Sequence, residues 1–83
     1  MTRRTGRFEF HCYNENAEFI GMHVEDHHSE SAARSAAGRE AKKNGGPVDL
    51  CHAGDEIWED RYITTAAPSE YHATGYRTER LVN

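Results

Sequence analysis

Long apolar runs are missing from these 83 residues. No stretch of about 18 apolar residues occurs, so no segment reads as a membrane-spanning helix. The basic start, Met1–Arg7, runs into acidic and aromatic residues rather than an apolar region, so it does not read as a signal peptide. Cysteine is scarce. Cys12 and Cys51 are too few for a disulfide scaffold and suit two free thiols in a cytoplasmic protein. Large aliphatic residues are also few: two Leu, three Ile and three Val, with three Phe beside them. A chain this short buries only about 60% of its unfolded surface. That leaves little room for a deep catalytic cavity, which typically needs about 300 Å³ or more. Strong net charge is absent too, at −4. With the ordered patterning described below, this argues for a folded domain with a thin core rather than a disordered chain. Thin cores often lean on oligomerisation or a partner.

What is present is periodic. Over Arg7–Tyr13, Phe8, Phe10 and Cys12 alternate with Glu9, His11 and Tyr13, the period of a half-buried strand. Glu18–Glu25 repeats the pattern, with Ile20, Met22 and Val24 alternating with Phe19, Gly21, His23 and Glu25. Asn14–Ala17 lies between them as a polar turn. A three-residue loop sets Asn14 opposite Glu18, Cys12 opposite Ile20, Phe10 opposite Met22 and Phe8 opposite Val24. That register gathers every apolar side chain on one face. It asks Ala17 for a left-handed conformation that glycine normally supplies.

Ser29 is the preferred N-cap of a helix whose body runs Ser31–Lys43, with Asp26 as the alternative. Ala33, Ala36, Ala37 and Ala41 form its buried stripe. Asn44-Gly45-Gly46-Pro47 stops it. Val48–His52 reads as a short strand and Glu56–Thr65 as a longer one, rich in β-branched and aromatic residues. Ala66–Ser69 is expected to turn, and Tyr71–Val82 is either a fifth strand or a frayed tail. Residues 1–83 therefore read as one small α+β domain, with 1–6 as a flexible arm. The expected fold is a single antiparallel sheet, β-β-α-β-β with an optional fifth strand, and one helix packed on one face.

Charge is laid out in blocks. Residues 9–30 hold six acids and no Lys or Arg, and residues 49–60 hold five acids and no Lys or Arg. Arg3, Arg4 and Arg7, then Arg34, Arg39, Lys42 and Lys43, make the basic blocks. Such a two-sided molecule repels phosphate from its acidic side, so direct nucleic-acid binding by the sheet is disfavoured. The basic helix back and the arm are the only surfaces suited to phosphate.

Six His stand in the chain. The expected register sets Glu9 opposite His23, with His11 diagonal to it, all on the face away from the helix. Two His and a carboxylate suit zinc or non-haem iron. No spaced zinc signature, glycine-rich phosphate loop or oriented Cys–His pair accompanies them. The primary expectation is therefore a non-enzymatic chain with no cofactor and no metal, and metal binding is the alternative. Tyr13 and Phe19, facing each other on the outward side beside acids, are the strongest positive sign, because aromatics concentrate at interface centres.

The expected function is protein binding. An acidic, aromatic-bearing surface made of Glu9, His11, Tyr13, Phe19, His23, Glu25, Asp55, Glu56, Glu59 and Asp60 would dock on a larger, basic protein. Inhibitors carried by phages and other mobile elements commonly have this size and charge. By that analogy the partner is a nucleic-acid-handling machine such as a host-defence complex. Homodimerisation, or service as a structural subunit, is the other expectation.

Overall fold

The computed structural model describes residues 6–54 and 61–80. Two strands, β1 (Arg7–Tyr13) and β2 (Phe19–Asp26), precede a helix, α1 (Glu30–Asn44). Three more follow: β3 (Val48–His52), β4 (Tyr62–Pro68) and β5 (Tyr76–Arg80). All neighbouring strands pair antiparallel, in the order β2-β1-β3-β4-β5. α1 crosses one face, against β4, β3, β1 and β5. The expected α+β sheet with a single helix is this fold, and the fifth strand exists.

The helix ends obey local chemistry. Ser29 is extended, and its hydroxyl accepts from the Ala32 N–H at 3.0 Å, which satisfies one orphan donor of the first turn. Gly45 takes the left-handed conformation at φ 73° and donates its N–H to Ala41 O. Ala33, Ala37 and Ala41 are fully buried and Ala36 nearly so. They meet Phe8, Phe10, Cys12, Val48, Leu50, Ile63 and Ala66 from the sheet. The small stripe lets α1 lie close. At Gly38 the approach is closest: a Cβ there would sit 2.1 Å from ring atoms of Tyr76.

The first hairpin turns as expected and then departs from the expected register. Asn14 N–H donates to Glu18 O, Ala17 N–H to Asn14 O, and Asn14 Oδ1 accepts from the N–H groups of Asn16 and Glu18. Ala17 does adopt a positive φ, 62°. Tyr13 then pairs with Phe19, but Cys12 pairs with Gly21, which leaves Ile20 as an extra, bulged residue. Beyond the bulge every partner is offset by one. Phe10 faces His23 and not Met22, Phe8 faces Glu25 and not Val24, and Glu9 faces Val24 and not His23. Period-2 geometry then turns Met22 and Val24 away from the helix and His23 and Glu25 toward it. The physical reason is the position of α1. It packs chiefly over β1, β3, β4 and β5, so apolar groups on the helix side of the edge strand β2 would gain little burial.

Two further corrections concern the C-terminal half. Ala66–Pro68 is strand rather than turn, because Ala66 is buried beneath α1 opposite Val48. The reversal falls later, where Ser69 N–H bonds Gly75 O and Gly75 takes φ 89°. The strand expected from Glu56 is seen from Tyr62 onward, and its earlier part lies outside the described residues.

Candidate functional site

The bulge gives β2 two different faces. Away from the helix, Phe19, Ile20, Met22 and Val24 are 59%, 53%, 49% and 41% exposed. The Tyr13 and Phe19 rings meet edge to face at 5.7 Å, as their opposite placement suggested. β2 is the sheet's edge, so among the described residues no strand pairs with its outer side. Glu15, Glu18 and Asp26 border this apolar row and are exposed.

Glu9 and His11 share that face but are not open charges. Arg61 donates from its guanidinium to Glu9 Oε1, His11 Nε2 lies 3.0 Å from the same oxygen, and Arg61 Nε donates to His52 O. Glu9 is thus a tie between β1 and the residue leading into β4. Beside it Asp49 Oδ1 accepts from the Thr65 hydroxyl at 2.7 Å, and Thr65 also bonds Tyr62. Cys51 sits on this side of β3 opposite Glu9, yet is fully buried. Burial pushes its thiol up to about 12; Arg61 opposes the shift and Asp49 and Glu9 add to it.

Of the expected docking residues, Tyr13 and Phe19 lie together on the open face, with Glu9 and His11 nearby. His23 and Glu25 do not belong there, because the Ile20 bulge rotates them to the helix side. Asp55, Glu56, Glu59 and Asp60 lie outside the described residues. Ile20, Met22 and Val24, which the expected register sets on the core face, are exposed instead. The misplaced signal is the bulge, for which Gly21 is the one local hint.

On the helix side, His23 stacks on Phe10 with centroids 5.0 Å apart and rings 6° from parallel. Glu25 joins two imidazoles: Oε2 lies 2.9 Å from His23 Nε2, and Oε1 lies 2.8 Å from His27 Nε2. Burial pushes the Glu25 carboxyl up, but hydrogen bonds from His27 and His23, and their charges, outweigh it. The net result is a carboxyl held below its usual range. Next to this trio, Cys12 Sγ is 4.0 Å from Glu40 Oε2. Ligand atoms of Cys12, His23 and Glu40 all lie within 4.8 Å of one another. Burial raises the Cys12 thiol, and the charges of Glu40 and Glu25 raise it further. The metal set expected from sequence, Glu9 with His11 and His23, is not brought together, since His23 is on the opposite face.

Elsewhere, Arg39, Lys42, Lys43, Thr74 and Tyr76 line an open groove of about 610 Å³ between the last turns of α1 and the approach to β5. No described helix is long and apolar enough to cross a membrane. No family model, curated protein or solved structure matches the chain.

Proposed function

We propose that this chain is a protein-binding module. It docks the outward side of its β1–β2 hairpin on a larger protein whose surface pairs an apolar groove with basic residues. The observation that carries this reading is the exposed row Phe19, Ile20, Met22 and Val24 on an edge strand. Unpaired edges with apolar side chains are templates for association, and proteins that leave them bare without use aggregate.

Charge selects the occupant. Exposed Glu15, Glu18 and Asp26 border the apolar row, against Arg7 at 3.9 Å from Asp26, so the ground around it is net acidic. A second copy pairing β2 to β2, centred on Met22, would align Ile20 with Val24 but set Glu18 against Asp26. Like charges directly opposite are destabilising. A basic partner turns the same acids into attraction and faster encounter. Nucleic-acid-handling assemblies, whose surfaces are basic, are the first class to test.

The experiment is affinity purification from the native host at low and high salt, followed by titration of the recovered protein against variants with unchanged circular dichroism. Truncating two half-exposed anchors, Met22→Thr with Val24→Thr, is expected to weaken binding by about tenfold per residue, the size of a typical anchor contribution. Glu15→Lys with Glu18→Lys is expected to slow association chiefly. A partner whose affinity ignores both double variants refutes the reading.

A further inference from the structure

We propose that Cys12, His23 and Glu40 form a zinc site that clips β1, β2 and α1 together at the edge of the sheet. The three side chains come from three elements, and their ligand atoms lie within 4.8 Å of one another. Tetrahedral zinc has Zn–S near about 2.3 Å and Zn–N or Zn–O near about 2.0–2.1 Å, so its ligand–ligand edges run to about 3.3–3.6 Å. Closing from the observed spacing asks for side-chain shifts of only about 1 Å.

Acids and His also cluster at surfaces without a metal. The surroundings add a second and independent observation. Ligands of real metal sites are held by their neighbours, and a ligating His almost always donates its other N–H to a carboxylate, a backbone carbonyl or water. His23 has this partner in Glu25, at 2.9 Å from Nε2. A carboxylate only accepts, so Nε2 carries the proton and Nδ1 keeps the lone pair. Glu25 is itself anchored by His27, and the imidazole plane of His23 is fixed by Phe10 stacked beneath it. Glu40 is held by Asn44, whose Nδ2 donates to Oε2 at 3.5 Å. His23 and Glu40 each have a neighbour that orients them.

Donor chemistry narrows the ion. A thiolate with an imidazole and one carboxylate suits zinc, whereas calcium and magnesium prefer all-oxygen sets. Three protein ligands leave a fourth position for water or a partner's side chain. The clip also answers a structural need, because α1 packs chiefly on the other four strands and leaves β2 with little apolar anchorage. The inference shares the strand offset with the docking reading but uses the opposite face of β2, and metal titration tests it apart from any partner.

The test is titration of the full, untagged chain with Co²⁺ and then Zn²⁺. Expected is one ion per chain, with intense tetrahedral cobalt bands and a thiolate-to-cobalt charge-transfer band that Zn²⁺ abolishes. Cys12→Ser removes the charge-transfer band, while Cys51→Ala, on the other side of the sheet, keeps it. Glu25→Gln weakens binding by about 10–100-fold without touching the metal, as loss of an orienting partner does. His11→Gln on the open face changes nothing. Octahedral cobalt spectra from the wild-type chain, no saturable binding, or equal losses from His11→Gln and His23→Gln each overturn the proposal. The wild-type spectrum decides even where a variant fails to fold.

Discussion

Replacing one valine by threonine at two positions tests the strand offset on which both sites rest. Val48 lies beneath α1 with 0% exposure, and Val24 lies on the far side of the edge strand at 41%. Val→Thr keeps the shape and exchanges a methyl for a hydroxyl. At Val48 it removes a buried methyl, worth about 0.8 kcal/mol, and buries a hydroxyl at about 1–3 kcal/mol. The expected loss is about 2–4 kcal/mol, a large share of a small domain's stability. At Val24 the hydroxyl meets water and threonine remains a good strand former, so the change stays within about 0.5 kcal/mol. Urea unfolding followed by circular dichroism reads the difference. With a slope of about 1 kcal/mol/M, Val48→Thr moves the midpoint down by about 2–4 M and Val24→Thr by at most about 0.5 M. Equal losses at the two positions would mean that Val24 packs inside opposite Phe8, and the offset would be wrong. The zinc clip and the exposed apolar row would then fall together.

Two other outcomes follow from single contacts. Gly38→Ala should destabilise by up to about 2 kcal/mol, because overpacking of about 1–3 kcal/mol against Tyr76 at least offsets the roughly 1 kcal/mol gain in helix propensity; a Tyr76→Ser background should make the substitution stabilising, and a stabilised Gly38→Ala single variant would show that α1 does not approach β5 so closely. Cys51, raised from 9.0 to about 12, keeps its proton in the fold and loses it earlier when unfolded. Its contribution to stability is therefore full below about pH 9 and drains away as pH rises toward 12. At pH 8 the folded thiolate is about a thousandfold scarcer than in an ordinary thiol, so iodoacetamide should label Cys51 of the Cys12→Ser variant only after urea is added. Labelling of the folded chain within about tenfold of the unfolded rate would refute this.

Much of the architecture is written in short-range signals. The bounds of β1 follow from alternation, β3 lies where the sequence reads as a short strand after the helix stop, and the start and stop of α1 follow from Ser29 and Gly45, whose chemistry acts within one turn. The alanine stripe announces which side of the helix is buried, and Asn14–Ala17 announces the reversal. These features are legible because each depends on residues within about four positions of one another. The strand offset is different. Alternation reports that Ile20, Met22 and Val24 share one side, but not which side faces the helix. Ordinary pattern logic sends them inward. In the folded chain, α1 lies over the middle of the sheet, β2 hangs at its edge, and one extra residue at Ile20 turns the pattern over. That reversal carries His23 and Glu25 to Cys12 and Glu40, residues up to 28 positions apart, and leaves the apolar row outside. Both candidate sites thus depend on where a helix settles across strands distant in sequence, a choice made by total burial over the whole sheet rather than by any local run of residues.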